Sequence, residues 1–103
     1  MSTYIDIILP LALPQLYTYS VPKEWEANVV PGVRVIVPFG KKKLYSAVVS
    51  RVHNQAPTAY ETKDIVQVFD SSPVVNQTQL SFWSWMADYY MCTVGEVMKA
   101  ALP

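Results

Sequence analysis

As far as Asp70 the apolar residues of the chain alternate with polar ones over short runs; beyond Pro73 they recur every three or four positions. The first spacing is that of half-buried strands, the second that of a core-facing helix. The clearest strand pair lies in PGVRVIVPFGKKKLYSAVVSRVH, Pro31 to His53. Pro31-Gly32 is a turn signal. Val33, Val35 and Val37 then alternate with Arg34, Ile36 and Pro38. Phe39-Gly40 breaks the run, and Leu44 to Val52, rich in Val and Tyr, reads as a return strand. The unit is a β-hairpin with Gly40 and three lysines, Lys41, Lys42 and Lys43, at its tip.

Around this hairpin the other elements fall into order. Thr3 to Leu9 reads as a strand, with Tyr4, Ile5, Ile7 and Ile8 around Asp6. Pro10, Ala12 and Pro14 keep the next stretch extended, because proline fixes φ and removes a donor. Leu16 to Val21 is a second short strand, with Tyr17 and Tyr19 on one face and Leu16, Thr18 and Ser20 on the other. Pro22 to Asn28 is turn-rich, with Trp25 placed as a lid over one end of the core. Residues 54–62 form a loop, and Asp64 to Phe69 a fifth strand with Ile65 and Val68 in the core. Asn76 with Gln79 has capping-box spacing, so a helix starts near Gln77. Leu80, Trp83, Met86, Ala87 and Tyr90 form its buried stripe. Phe82, Trp85 and Tyr89 widen the stripe, which predicts a helix covered on two sides. Thr93 and Glu96 open a second helix from about Val94 to Ala101. The fold class is mainly β (α+β): a small five-stranded, partly closed β-barrel-like sheet followed by two C-terminal helices. Residues 1–103 are expected to form one domain, with its β part over about 1–72 and its helical part over about 73–103.

Composition narrows the function. Apolar residues make up 51% and charged residues 16% of the 103, which is a folded, not a disordered, composition. Net charge is zero, so any polyanion site has to be local. Charge is in fact concentrated: Arg34, Lys41, Lys42, Lys43 and Arg51 lie between Asn28 and Tyr60 with no Asp or Glu among them. A single cysteine, Cys92, forms no internal disulfide, and no Cys/His cluster offers a zinc site. The opening MSTYIDIILPLALP has no basic start and carries Asp6 and two prolines, so it does not read as a signal peptide. No apolar run approaches the ~20 residues of a membrane span. The chain stops on Leu102-Pro103 directly after a helical pattern, which reads as a piece of a longer protein.

Candidate chemistry is sparse. Gly40 permits close approach of a ligand and the adjacent lysines attract phosphate, though both residue types are also ordinary at a solvated tip. Tyr17 and Tyr19 can stack on bases or pack as a core pair. Lys63 precedes the fifth strand and can reach a phosphate or stand in solvent. His53 has no catalytic companion and reads as a bystander. Cys92 reads as a packing residue. Asp6 is unusual in an apolar strand but has no second carboxylate for acid/base work. No P-loop, nucleophile elbow or metal-ligand spacing is present, so the chain reads as a binding domain, not an enzyme. The aromatic run from Phe82 to Tyr90 reads mostly as core.

The order of short motifs resembles a known family. The motifs are Ile8-Leu9-Pro10-Leu11-Ala12-Leu13-Pro14 with Tyr17-Thr18-Tyr19, then Pro31-Gly32-Val33-Arg34-Val35 running into Val37-Pro38-Phe39-Gly40-Lys41. They continue with Lys63 before Ile65-Val66-Gln67-Val68-Phe69-Asp70, then Pro73-Val74, Ala87-Asp88-Tyr89-Tyr90, Gly95-Glu96-Val97 and Ala100-Ala101-Leu102-Pro103. In this order and spacing they resemble the N-terminal 3′-DNA-binding domain of the primosomal replication-restart helicases (primosomal protein N′, PriA). The resemblance implies a domain that recognises the 3′ end of the nascent strand at stalled replication forks. It implies a pocket for the terminal nucleotide at Tyr17, Thr18, Tyr19, Gly40 and Lys63, with Thr18 standing where well-known members carry an aspartate. Lys41, Lys42 and Lys43 are further candidates for phosphate contacts. The implied partners are DNA with a free 3′ end, fork DNA, the remaining domains of a parent helicase and other primosome proteins, in the cytoplasm and without a membrane. ATP and zinc belong to the helicase part of the family, so no cofactor is expected in these residues. Two other readings remain open on the residues: a small SH3-like protein-docking module, and a general single-strand binder of the OB type.

Overall fold

Ile5, Ile7, Val35, Val37 and Val49 are completely buried because alternate residues of their strands point to one side of a curled sheet. The computed structural model describes residues 2–102. It contains β1 (Thr3–Ile8), β2 (Tyr17–Val21), β3 (Arg34–Pro38), β4 (Leu44–His53) and β5 (Gln67–Val68), then α1 (Gln77–Tyr89) and α2 (Val94–Ala101). The strand order is β2-β1-β4-β3-β5, antiparallel throughout. The curled sheet forms a half-barrel around an inner core that also takes in Leu9, Tyr19, Val21, Val33, Ala47 and Ile65. At ~1.5–3 kcal/mol for each fully buried aliphatic side chain, this core is the main source of stability. Trp25, on the 3-10 turn Lys23–Trp25, packs half-buried against it as the expected lid.

The fifth strand departs from its expected length. A six-residue strand over Asp64 to Phe69 is reduced to Gln67–Val68. The reason is that this segment divides its backbone bonds between two neighbours. Ser20 of β2 donates to Lys63 and accepts from Ile65 (2.9 and 3.1 Å), whereas Val66 and Phe69 donate to Ile36 and Arg34 of β3 (2.8 Å each). The segment therefore bridges β2 and β3 and closes the barrel along a seam. Val66 and Phe69 are exposed as a consequence.

The outer face of the sheet is split. Near one end Ile8 and Val48 meet Val75, Leu80, Trp83, Ala87, Val97 and Met98 in a second core under the helices. Both helices start as expected, with reciprocal capping boxes at Asn76/Gln79 and Thr93/Glu96. Gly95 lets α2 lie directly on the Leu9 and Leu11 carbonyls, which a Cβ would strike. The aromatic face of α1 corrects the expectation of two-sided cover. Leu80, Trp83 and Ala87 are buried, but Phe82, Trp85, Tyr89 and Tyr90 are exposed. Phe82, Trp85 and Tyr89 stack on one another along the helix, at 5.9 and 5.1 Å between centroids. Among the described residues the buried sheet side chains under the helices are Ile8 and Val48, enough to cover one stripe of a helix and not two.

Candidate functional site

A pocket of about 180 Å³ opens at the seam, lined by Tyr17, Thr18, Tyr19, Pro38, Phe39, Gly40, Tyr60, Glu61 and Lys63. Its size suits a single small group and not a duplex. Its walls follow from the fold. Strand β2 supplies Tyr17, Thr18 and Tyr19, the end of β3 and its turn supply Pro38, Phe39 and Gly40, and the closing segment supplies Tyr60, Glu61 and Lys63. All five residues singled out for the 3′-end pocket are thus brought together. Lys41, Lys42 and Lys43 are not among the lining residues; they stand exposed on the same turn, next to Gly40.

The two tyrosines of β2 divide their roles. Tyr19 is buried, and its hydroxyl donates to the Pro38 carbonyl at 2.5 Å. Burial, then the nearby Tyr60 and Tyr17, push its pKa up to about 12, so it remains a hydrogen-bond donor. Tyr17 is half-buried, with its ring edge-on to Phe39 (5.3 Å) and tilted against Tyr60 (6.3 Å). Gly40 has φ +73°, a conformation that costs other residues ~1–2 kcal/mol, and nothing lies within 4 Å of where its Cβ would be. The wall at Gly40 is therefore open. Lys63 is exposed at the rim, while its carbonyl is tied to Ser20 of β2.

Thr18 lines the pocket and is also tied to the neighbouring strand. Its hydroxyl donates to Asp6 Oδ1 at 2.8 Å, and Asp6 does not line the pocket. Thr18 and Asp6 are directly opposite in the β1–β2 ladder. A register shift between Asp6 and Ile7 leaves Ser50 unpaired in β4 and brings Arg51 opposite Asp6. Asp6 thereby also receives Arg51 Nε at 3.1 Å, and lies 2.8 Å from His53 Nε2. Burial raises the Asp6 pKa, but the bonds to His53, Thr18 and Arg51 and the charge on His53 outweigh it, and the net shift is downward. His53 is thus part of a network, and stacks on Tyr4 as well.

Pro38 and Phe39 enter the lining as the motif residues beside Gly40, and Tyr60 and Glu61 are lining residues that no motif touched. Tyr60 accepts the Thr18 backbone N–H at 2.9 Å, which pins the loop over β2. Their only signal was position: an aromatic and an acid just before Lys63. Among the described residues no group of three or more His, Cys, Asp or Glu side chains is placed to hold a metal. No helix among them is long and apolar enough to cross a membrane.

The family model described as the 3′ DNA-binding domain (3′BD) matches residues 6–103. The chain is 29% identical over 107 residues to the replication restart protein PriA of Treponema pallidum, covering 100% of this chain and 16% of that protein. It is 30% identical over 99 residues to the PriA of Haemophilus influenzae, covering 96% and 13%. With the PriA of Bacillus subtilis it shares 25% identity over 87 residues, covering 84% and 11%. The chain thus spans 11–16% of the length of these curated relatives.

Proposed function

The chain belongs to the family of PriA 3′ DNA-binding domains, and from that premise we propose that the seam pocket is where it takes the 3′-terminal nucleotide of a DNA strand. The observation that carries this is the convergence of Tyr17, Thr18, Tyr19, Gly40 and Lys63, drawn from three separate segments, on one small pocket. The terminal base packs on the Tyr17 ring, with Tyr60 and Phe39 beside it. The backbone at Gly40 lets the sugar approach, and Lys63 at the rim balances the last phosphate. Lys41, Lys42 and Lys43 meet phosphates further up the strand.

In the same reading residues 1–103 work as one end-reading domain of a longer replication-restart helicase in the cytoplasm. It meets the 3′ end of the nascent strand at a stalled fork, together with the other domains of that protein and with primosome proteins. Hydrolysis of ATP and binding of zinc fall to those other parts, and these residues bind DNA without a cofactor. The SH3-like and OB-type alternatives are not favoured, since the family model covers nearly the whole chain.

The test compares fluorescence anisotropy of a labelled linear single strand and a circular one of the same sequence and length. The linear strand is expected to bind more tightly. Tyr17→Ala should lower that affinity about tenfold, within the ~1–3 kcal/mol of one base–aromatic stack. Lys63→Ala should lower it by a smaller factor. Equal binding of the linear and circular strands would overturn the end-pocket reading.

A further inference from the structure

The pocket's polar groups are mostly committed. The Tyr19 hydroxyl donates to Pro38, the Thr18 hydroxyl to Asp6, and the Thr18 N–H to Tyr60. Pro38, Phe39 and Gly40 carry no polar side chain. The charged groups that remain in the lining are one carboxylate, Glu61, and one ammonium, Lys63. Their placement is not accidental to the seam. Thr62 between them is hydrogen-bonded through its hydroxyl to Ser20 of β2, and it does not line the pocket. Residues 61 and 63 therefore share the other side of the segment, as alternate residues of an extended chain do.

A 3′ terminus has two distinct chemical parts. On the 5′ side of the last nucleotide is a phosphodiester, an anion. At the end itself is a hydroxyl, a donor. A carboxylate accepts from a hydroxyl in a charge-assisted bond, and it repels a terminal phosphate carrying about −1.5 to −2 charge. Resting on the end-pocket reading above, we propose that Glu61 is the specificity-determining residue that reads the chemical state of the terminus. It favours a free 3′-hydroxyl and rejects a 3′-phosphate, while Lys63 holds the preceding phosphodiester. The Thr18 hydroxyl proton is held by Asp6, so toward a terminus that hydroxyl offers only a neutral acceptor, weaker than a carboxylate.

The experiment uses the 103-residue chain with three labelled strands of one sequence, ending in a 3′-hydroxyl, a 3′-hydrogen and a 3′-phosphate. The native protein should bind the hydroxyl end about tenfold more tightly than the phosphate end, which is ~1.4 kcal/mol of discrimination. Glu61→Gln should bring the phosphate end to within about twofold of the hydroxyl end, while retaining much of the hydroxyl-over-hydrogen preference through its amide oxygen. Glu61→Lys should reverse the order. Glu61 is exposed, so neither variant threatens the fold. If Glu61→Gln keeps the full rejection of phosphate, the assignment to Glu61 is wrong although the end pocket stands. If the native protein binds all three ends and a circular strand equally, the end pocket itself is wrong and this inference falls with it.

Discussion

Tyr17 and Tyr19 have the same residue type, lie on the same strand and point to the same face, yet the structure gives them different work. The alternation along β2 was legible, and with it the fact that the two rings share a face. Which ring reaches the core and which stops at the surface depends on how the seam closes over them, and that is a long-range fact. The difference can be measured. Tyr19→Phe removes a hydrogen bond from a buried hydroxyl to Pro38 and should cost about 1 kcal/mol in urea unfolding. It should leave 3′-end affinity within about twofold, because its ring still fills the floor. Tyr17→Ala removes a ring that packs partly on the core as well as the base platform, so it should cost some stability and, unlike Tyr19→Phe, give a large loss of binding in the folded protein. A Tyr19→Phe variant that binds tenfold worse at unchanged stability would place Tyr19, and not Tyr17, against the base. Asp6 carries a similar lesson. Its oddness in an apolar strand was visible, but its partners were not. Thr18 lies opposite it only in the folded ladder, and Arg51 faces it only because of the shift that leaves Ser50 unpaired.

At the scale of elements, local signals and tertiary ones diverge most clearly in α1. Its start was legible because a capping box is a contact between residues three apart. Its end is also local: Cys92 donates to Ala87 at 2.9 Å and Met91 to Asp88 at 3.3 Å, the Schellman pattern. The residue in the left-handed position of that pattern is Met91, with φ 55° and 92% exposure. A side chain there costs ~1–2 kcal/mol that glycine avoids, and the exposed methionine makes little packing to offset it. Met91→Gly should therefore raise stability by about 1 kcal/mol, less what glycine loses in unfolded-chain entropy. An unchanged or lower urea midpoint would contradict this. The breadth of the apolar stripe, in contrast, misled. Periodicity shows which residues could be buried together, but the number actually covered depends on the partner surface. Here the buried side chains that surface offers, among the described residues, are Ile8 and Val48. Strand β5 misled for the related reason that its backbone bonds are shared between two strands.

For the whole molecule the decisive feature is the seam, and charge holds its far end. Arg34 grips Asp70 through Nε and Nη2 at 2.9 Å each, and the Arg34 N–H adds a third bond at 2.9 Å. The guanidinium also lies over the Phe69 ring at 4.8 Å. This clamp joins β3 to the exit of the closing segment, as Asp6 joins β1 to β2 and β4. The Arg34 side chain, above all its hydrogen bonds, holds the Asp70 carboxyl below its ordinary value, and Asp6 is lowered as well. A carboxyl lowered on folding binds protons more tightly in the unfolded chain, whose Asp groups titrate near ~3.9. Both groups thus add stability that is complete above about pH 5 and is lost as pH falls through ~4 toward their folded values. Stability followed by urea midpoint should be flat near neutrality and drop on acidification. Asp70→Asn cannot titrate and weakens the clamp. It should lower stability at pH 7 by about 1–3 kcal/mol, as expected for hydrogen bonds to a charged group, and should flatten part of the acid drop. Because Lys63 and Glu61 sit on the segment that this clamp fastens, 3′-end binding should weaken along the same acid limb. An Asp70→Asn variant that loses stability with acid as steeply as the native chain would show that the clamp does not carry this dependence.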